Sequence, residues 1–338
     1  QVEITPSVAV QGGGGAGIPY IVNLDAGESY QVQAATASGD LTGTTVIATE
    51  QSGDCRPFAV FGGSECTNIP AGCYACDHIF DQSFPVETWG TEYYIIPFSG
   101  TTSYTYRIMA RENGTMVSTN GGAPVVMNAG QWQEFNMVPG PQHISSSSPI
   151  SVIQYMQGTT CSNSGDPAML VLNGDNQRIN QVTFSTVSST VITQHNLNLI
   201  VETADIGTVQ LDNVAIPPAS YIAFPGIPSK SYAQLTLSQG SHSLTAPNGF
   251  TGYIYGTGSA ESYTYSIGSY QQEPMIDVDS LLCSNDTMVL VPDQNLFSPI
   301  WTTQSDTVTV LGTNNSLILY PPIINEVYVV TGNSFISG

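Results

Sequence analysis

The chain has 338 residues, of which 9% are charged, and 26 acidic side chains against five basic ones give it a formal net charge of −21. A chain this acidic repels polyanions, which disfavours nucleic acids and anionic membrane surfaces as partners. Its 41% hydrophobic content, with 17 Tyr and 11 Phe, is ample for a packed core, and its length predicts two or three domains.

Apolar and polar side chains alternate along much of the chain, as they do in half-buried β-strands. Clear examples are Tyr30–Gln33, Ala233–Leu237 and Thr307–Val310. Between such runs stand turn formers such as Asn120-Gly121-Gly122 and Asp212-Asn213, which supply the positive φ angles that tight hairpins need. Because no window shows a convincing helical period, the sequence predicts an all-β fold.

Internal repetition predicts related β-modules packed side by side. A strand end, a turn and a new strand occur at Leu24–Glu28, Met127–Gln131 and Leu237–Ser241. An apolar strand that closes on glycine follows at Phe58–Gly62, Ile150–Gly158 and Tyr253–Gly256, and Ser103–Ile108 is echoed by Ser262–Ile267. Unequal spacing argues against a solenoid or propeller, whose repeats hold a fixed period. We expect two or more packed β-sandwich-like modules.

A change of composition after Gln271–Pro274 predicts a domain boundary. We expect a β region over 1–273, made of two related modules, and a small Ig-like sandwich over 274–338 that contains Trp301. Its predicted strands are Thr287–Val291, Ile300–Thr302, Thr307–Leu311, Leu317–Tyr320 and Val327–Val330.

Six cysteines indicate a disulfide-bonded extracellular protein. They are Cys55, Cys66, Cys73, Cys76, Cys161 and Cys283. Cys73 and Cys76 also form a CxxC pair. A redox pair would need a helix after it to lower the thiol pKa, and no helical pattern follows. A zinc site would need a second pair of ligands, and only His78 lies near. Structural disulfides are therefore favoured over both. No run of 18 apolar residues predicts a membrane span, and Gln1 is typical of a processed start, so we expect a secreted or cell-surface protein.

Five aromatic residues are a candidate binding face for sugar or protein. They are Trp89, Tyr93, Tyr94, Tyr104 and Tyr106, which lie on a predicted pair of strands and just before it. Aromatic side chains are equally the natural filling of a sandwich, and core packing is the favoured interpretation. Their exposure decides between the two.

Cofactor and modification motifs are sparse. No cofactor is expected, although Asp277 and Asp279 at the predicted boundary, and the loop at Gly174-Asp175-Asn176, offer the hard oxygen ligands that a structural calcium ion prefers. Candidate glycosylation sites are Asn113, Asn285 and Asn314 in N-glycosylation sequons, and Thr287 and Thr307 in motifs typical of bacterial O-glycosylation.

Catalytic signatures are missing from the sequence. Asp77 and His78 beside Cys76 could be imagined as a nucleophile pair, but an oxidised cysteine is no nucleophile. The other histidines, His143, His195 and His242, stand apart without a GxSxG, HExxH or paired-carboxylate motif. The sequence predicts a protein that is not an enzyme.

A series of short motifs follows in order between residues 40 and 166. They are Asp40-Leu41-Thr42-Gly43, Phe58–Gly63, Cys66 to Cys76-Asp77-His78, Gln82, Pro85-Val86, Thr88-Trp89-Gly90, Tyr106-Arg107-Ile108, Glu112-Asn113 before Thr115, Gln154-Tyr155 with Gly158, and Gly165-Asp166-Pro167. In this order they resemble the family of domains named after the IgG Fc-binding protein. A looser match through Tyr253–Gly256 and Glu261–Tyr263 extends the resemblance over about 1–270. The remainder is weakly similar to the Ig-like modules of bacterial adhesins, with Cys283 ahead of Thr287–Leu290.

The resemblance implies a binding protein of animal mucins or of bacterial surfaces and supplies no catalytic residue. Cys66 and Cys76 are the expected disulfide pair, closing a short loop that stabilises the fold by roughly 3 kcal/mol in the loop-entropy model. Cys55 and Cys73 depart from the family pattern, so their pairing, like that of Cys161 and Cys283, stays open.

The leading hypothesis is an adhesin-like module of a bacterial surface that binds a protein or glycan ligand. A structural subunit of an extracellular filament or coat, whose partner is another copy of itself, is the alternative. An exposed unpaired edge strand would favour that alternative. A carbohydrate-active enzyme is the third and least supported class, because it needs a cleft with converging carboxylates.

Overall fold

The computed structural model describes residues 1–49, 58–163, 165–270, 288–290, 296–303, 305–306, 308–313, 317–319 and 328–334, with the backbone alone for 288–290, 296–299, 318 and 328–334. Regular structure in these residues is nearly all β-strand, and their one α-helix is the single turn α1 (Thr159–Ser162). The all-β fold predicted from the alternation is confirmed.

The chain begins with a small sheet and a separate hairpin. The strands β1 (Val2–Thr5), β2 (Tyr20–Val22) and β3 (Thr45–Ala48) form an antiparallel sheet in the order β2-β1-β3. The hairpin consists of β4 (Phe61–Thr67) and β5 (Asp77–Gln82). The predicted strand Tyr30–Gln33 is wrong: this stretch has no strand pairing, and the Tyr30 side chain is exposed.

Arg107 connects the N-terminal segment to the rest of the molecule. Its guanidinium lies 2.8 Å from the carboxylate of Asp40 and 2.8 Å from that of Glu134, and it donates to the Thr42 hydroxyl at 2.9 Å. The same group lies over the Trp132 ring, 4.3 Å from its centroid. A planar guanidinium suits this site because it bonds in its plane while it stacks on the indole.

The first β-sandwich is organised by one long strand that belongs to both of its sheets. Its strands are β6 (Gly90–Ile95), β7 (Tyr104–Ala110), β8 (Thr115–Thr119), β9 (Val125–Met127), β10 (Trp132–Val138), β11 (Gln142–Met156) and β12 (Ala168–Val171). Residues 142–146 of β11 pair with β6 and β8, whereas residues 150–156 pair with β7 and β12, and Ile150 also pairs with Gly90 of β6. Pro149 lies between the halves, where its missing N–H costs no ladder bond.

A second sandwich repeats this plan around another long strand. Its strands are β13 (Ile179–Ser185), β14 (Ile192–Glu202), β15 (Gln210–Leu211), β16 (Val214–Ala215), β17 (Tyr221–Phe224), β18 (Ile227–Leu237), β19 (Ser241–Gly258) and β20 (Glu261–Ser266). Residues 241–245 of β19 pair with β13 and β15, Phe250 pairs with Ile179 of β13, and residues 251–258 pair with β14 and β20. Pro247-Asn248-Gly249 lies between these two pairing regions.

The two sandwiches have the same strand connectivity. β6 to β9 correspond to β13 to β16, β10 to β18, β11 to β19 and β12 to β20, while β17 is an addition. The apolar strands that close on Gly158 and Gly256 occupy equivalent halves of β11 and β19. The second sequence repeat does not follow this correspondence. Ser103–Ile108 falls on β7 and Ser262–Ile267 on β20, and these two strands are not equivalent in the two sandwiches.

Tyrosines of the second sandwich complete the core of the first. Tyr253 and Tyr255 of β19 are buried in the same cluster as Tyr104 and Ile144. The Tyr253 hydroxyl donates to the carbonyl oxygen of Ile96 at 2.7 Å, and the Tyr255 hydroxyl accepts from the Ser99 amide at 2.7 Å. These bonds satisfy polar groups that burial would otherwise leave unpaired, so they fix the two sandwiches against each other.

Beyond residue 270 the structure describes two strand pairs. β21 (Met288–Leu290) pairs with β23 (Leu317–Leu319), and β22 (Leu296–Thr303) pairs with β24 (Tyr328–Ser334). The predicted strand Thr307–Leu311 is wrong in its described part. Asp306 accepts bonds from the amides of Val308 and Thr309 at 2.9 and 3.0 Å, which turns the chain and leaves Val308 87% exposed. The boundary at 273/274 and the Ig-like assignment stay predictions.

His242 is a buried titratable group of the second sandwich. Its Nδ1 lies 2.7 Å from a carboxylate oxygen of Asp212, and its Nε2 lies 2.9 Å from the carbonyl oxygen of Ser238. Burial lowers the pKa of His242, but the acceptors at Ser238 and Asp212 outweigh it and raise the pKa above its usual value. Hydrogen bonds from His242 and from the Ser243 amide lower the pKa of Asp212.

These shifts predict a pH-dependent contribution to stability. The His242 contribution is complete below about pH 6.5, the ordinary histidine pKa, and is lost as the pH rises through the raised pKa. The Asp212 contribution is present above about pH 3.9 and is lost as the pH falls through the lowered pKa. A double-mutant cycle of His242→Gln and Asp212→Asn should give a larger coupling free energy at about pH 5 than at about pH 8.5. Equal coupling at both pH values would contradict this.

Candidate binding face

The hairpin β4–β5 carries a row of exposed rings on one side. Residues two apart on a strand share a face, and Phe61 and Phe80 lie on the same face because Phe61 is opposite Gln82 and Phe80 is opposite Gly63. The Phe61 and Phe80 rings are stacked with centroids 5.1 Å apart, and the His78 ring stacks on Phe80 at 5.9 Å. Phe61 is 51% and Phe80 56% exposed. We call Phe61, His78 and Phe80 the aromatic face.

Gly63 makes room for this arrangement. It stands directly opposite Phe80, and a Cβ atom at position 63 would lie 3.2 Å from the Phe80 ring. It would also collide with the carbonyl oxygen of Ile79. Glycine therefore allows the Phe80 ring to lie across the neighbouring strand, where it covers a backbone that has no side chain of its own.

The opposite side of the hairpin is fixed to the first sandwich. Ile79 is buried in a cluster with Ile69, Tyr155 and Met169. Asp81 accepts a 2.7 Å bond from the amide of Val171, and burial raises the pKa of its carboxyl group although this bond opposes the shift. The hairpin thus lies against the outside of β11 and β12 with one face buried and the aromatic face turned to solvent.

Two disulfides restrain the loop that joins the hairpin strands. Cys66 is bonded to Cys76, the pair expected from the resemblance, and their Cα atoms are 5.2 Å apart. Cys73 is bonded to Cys161, the third residue of α1, and these Cα atoms are 5.4 Å apart. The second bond ties the loop to the first sandwich. Cys55 and Cys283 lie outside the described residues.

Gly158 lets the loop approach the sandwich. The Gly158 amide donates to the carbonyl oxygen of Ile69 at 3.1 Å, and the Thr160 hydroxyl donates to that of Tyr74 at 2.9 Å. A Cβ atom on Gly158 would lie 2.6 Å from the carbonyl oxygen of Cys73 and 2.9 Å from that of Tyr74. Both obstructing atoms are backbone, so a larger residue would push the loop away.

Acidic groups dominate the charge around the aromatic face and on the described surface. Glu65 is exposed on the same side of β4 as Phe61, whereas Asp77 is half-buried just before His78 and accepts the His78 amide at 2.7 Å. Each described arginine or lysine lies within 4.0 Å of a carboxylate: Arg107, Arg111, Arg178 and Lys230. The positive charges are therefore locally neutralised, and the excess charge of the surface is negative.

The aromatic residues singled out in the sequence do not form an exposed face. Tyr93, Tyr94, Tyr104 and Tyr106 are buried in the cores of the sandwiches, and burial raises the pKa of Tyr106 to about 12. Trp89 is half-buried and donates its indole N–H to the carbonyl oxygen of Phe84 at 3.1 Å. The four tyrosines are therefore packing residues, as the favoured interpretation of the sequence expected, and Trp89 leaves only part of its surface to solvent.

The other candidate residues are dispersed or lie outside the described part of the chain. Asn113 is exposed in the turn between β7 and β8, and its side-chain oxygen accepts the Ala129 amide at 3.1 Å. Asp175 is bonded to Lys230 and is not a free calcium ligand. Among the described residues no three His, Cys, Asp or Glu side chains are placed to hold a metal ion. Outside the described residues lie Asp277, Asp279, Asn285, Asn314, Thr287 and Thr307.

Comparisons with known proteins point to one family. A family model described as IgGFc binding protein matches residues 1–256. A human protein named IgGFc-binding protein is 26% identical over 135 residues, which are 39% of this chain and 2% of the human protein. No solved structure matches. In the part of the chain that the structure describes, no helix is long and apolar enough to cross a membrane.

The close approach at Gly158 generates a testable prediction. Gly158→Ala should lower the free energy of unfolding by about 1–3 kcal/mol, the usual effect of forcing an atom into a packed site, and should speed proteolysis of the loop at 68–76. Gly140→Ala is the matched control, because a Cβ atom there meets nothing within 4 Å. Chemical denaturation measures both variants. Equal stability of the two would contradict the proposed packing of the loop on Gly158.

Proposed function

The chain belongs to the IgGFc binding protein family, and from this premise we propose that it is a secreted, adhesin-like module that binds a protein ligand through the aromatic face. We place it on the surface of a bacterial cell. Its function in this proposal is binding, without catalysis. The stacked, half-exposed pair Phe61 and Phe80 on a disulfide-restrained hairpin is the observation that carries the proposal.

The build of the hairpin supports a role in recognition. Exposed aromatic rings bury much apolar area on contact, and they dominate the binding energy of many protein interfaces. The Phe61 and Phe80 rings are already stacked, and the strands beneath them are restrained by a disulfide and by the buried Ile79. Little conformational entropy remains to be lost on binding, which favours affinity.

The charge distribution favours a basic partner. With a net charge of −21 and with the exposed Glu65 on the side of β4 that carries Phe61, a ligand surface that carries Lys or Arg is favoured. Lys and Arg also interact favourably with the faces of aromatic rings. The human relative is named for the Fc part of immunoglobulin G, so the Fc fragment is the first ligand to test, with mucins and glycans beside it.

Loss of either phenylalanine ring should weaken binding. The purified chain is immobilised and titrated with Fc fragment, mucin and glycans at two salt concentrations. We expect binding to a protein ligand that weakens at the higher salt, and a Kd at least about tenfold higher for Phe61→Ser and Phe80→Ser, equivalent to about 1.4 kcal/mol.

Ile222→Ser is the control, because Ile222 is as exposed as Phe80 but lies on β17 of the second sandwich. It should bind like the unmodified chain, and thermal unfolding should show that all variants are folded. An equal loss of binding in all three variants, or none in either phenylalanine variant, would place the contact elsewhere. Binding to none of the ligands would remove the support for adhesion.

Self-assembly into a filament or coat is the second candidate function, and one observation favours it. Strand β9 is an edge of its sheet and pairs only with β8 among the described strands. Its Val125 and Val126 side chains are exposed, and Val125 lines an open groove of about 550 Å³ together with Met127 and Trp132. An exposed apolar edge is a template for pairing with another chain.

A charge on this edge should distinguish the two functions. If β9 mediates assembly, sedimentation of the unmodified chain should show concentration-dependent growth, and Val126→Lys should keep the protein monomeric. Ile222→Lys on β17 is the matched control. A chain that stays monomeric at every concentration, or that assembles equally well with Val126→Lys, would reject this edge as the assembly contact.

A further inference from the structure

Lys230 is the only lysine among the 338 residues, and it is buried. Its residue surface is 4% exposed, and it lies on β18 directly opposite Glu202 on β14. The ammonium nitrogen lies 2.6 Å from Oδ1 of Asp175 and 2.7 Å from Oε1 of Glu202. A lysine amine is thus held against two carboxyl groups inside the protein, although charged groups are normally kept at the surface.

Aromatic groups lie close to the amine. The Lys230 nitrogen lies 5.2 Å from the centre of the Tyr94 ring. Tyr94 in turn belongs to a buried cluster with Ile200, Phe224 and Tyr232. Such surroundings disfavour separated charges and strengthen interactions between the groups they enclose.

The two carboxyl groups are bonded differently. Glu202 accepts from Lys230 and, at 2.6 Å, from the Nη1 of Arg178. The Asp175 carboxylate accepts from Lys230 at 2.6 Å, but it comes no closer than 3.6 Å to the Arg178 guanidinium, which bonds the Asp175 backbone carbonyl instead at 3.2 Å. Arg178 and Glu202 would therefore remain a matched ion pair if Lys230 and Asp175 lost their charges.

We propose that Lys230 and Asp175 condense into an intramolecular isopeptide bond. A bond forms between Nζ of Lys230 and Cγ of Asp175, and one Cγ–O bond of Asp175 breaks. The ammonium and carboxylate together carry the atoms of one amide and one water: the departing oxygen leaves as water with two of the three ammonium hydrogens. No oxidant or co-reactant is consumed.

Glu202 is placed to move a proton during this step. Its carboxylate bonds the same nitrogen as Asp175, so it can accept a hydrogen from Nζ and return it to the departing oxygen. Burial raises the pKa of Glu202, but the hydrogen bond from Lys230 and the charges of Lys230 and Arg178 lower it overall. The group is therefore ionised and ready to accept. Because the folded chain already aligns amine and carboxyl at hydrogen-bond distance, the reaction needs no diffusive encounter.

The bond would join two separate parts of the fold. Asp175 lies in the connection between β12 of the first sandwich and β13 of the second, and Lys230 lies on β18. Their linkage closes a covalent loop across 55 positions of sequence. It also replaces a buried ion pair, whose desolvation is costly, by a neutral amide. The connection between the sandwiches would then be secured without relying on noncovalent contacts.

Intact-mass measurement of the purified full chain tests the proposal. We expect a mass lower by one water molecule than that of the same chain with its disulfides formed. The variants Lys230→Met and Asp175→Ala should have their full masses, and Asp175→Asn should lose one ammonia in place of water. Glu202→Gln should leave a fraction of the molecules at full mass. Circular dichroism checks that each variant is folded.

A protease that cleaves only after lysine gives an independent readout. The reduced and denatured unmodified chain should stay in one piece, because its single lysine is blocked, and peptide sequencing should find a branch that joins Lys230 to Asp175. The denatured Asp175→Ala variant should be cut in two after Lys230. Full mass and cleavage after Lys230 in the unmodified chain would overturn the proposal, as would a branch at Glu202 or a water loss that persists in Lys230→Met.

Discussion

The pairing of β11 with four different strands is the interaction on which the first sandwich depends. Because its halves take separate partners on either side of Pro149, one strand supplies a hydrogen-bonded edge to both sheets and aligns them over one core. The second half brings Tyr155 to the outer side, where it contacts the cluster that anchors Ile79 of the hairpin. Displacing β11 would therefore disturb both the core and the support of the aromatic face.

The same constraint operates a second time in β19 and connects the two sandwiches. Tyr253 and Tyr255 lie in the half of β19 that pairs with β14 and β20, yet their rings fill the core of the first sandwich. Asn198 of β14 donates to the carbonyl oxygen of Pro97 at 3.0 Å and to the Tyr253 hydroxyl at 2.9 Å. These buried polar groups can all be hydrogen-bonded in only one relative placement of the two sandwiches. The contact between the sandwiches is therefore specific as well as apolar.

Much of the fold follows from local patterns, because strands and turns are largely local properties. Alternation found Ala233–Leu237 in β18, and the apolar strands ending in Gly158 and Gly256 fall on equivalent long strands. The pattern failed over the described residues 308–310, where the Asp306 carboxylate accepts bonds from the amides of Val308 and Thr309 and turns the chain. An alternating pattern shows the order of apolar and polar side chains. It does not show that a side chain will bond the backbone amides that a strand would otherwise use for pairing.

The binding face was harder to predict, because exposure is set by tertiary contacts. Period two places Phe61 and Phe80 on one side of a hairpin once its register is known, but it does not tell which side is covered. That depends on Tyr155 and Met169, which contact Ile79 from distant parts of the chain. The tyrosines at 104 and 106 show the converse, since an equally aromatic strand is buried on both sides. The one local signal for the aromatic face is Gly63, which lies opposite Phe80 and leaves room for its ring.

The charge of the chain bears on which partner the aromatic face can take. Two copies approaching through this face would bring the exposed Glu65 of each near its counterpart, and like charges within a Debye length of about 8 Å repel at physiological salt. A basic ligand gains from the same carboxylates, and its cationic side chains can stack on Phe61 and Phe80. The negative charge thus opposes aggregation through an exposed apolar surface and favours a partner of opposite charge. On this argument self-assembly, if it occurs, uses the β9 edge and leaves the aromatic face available.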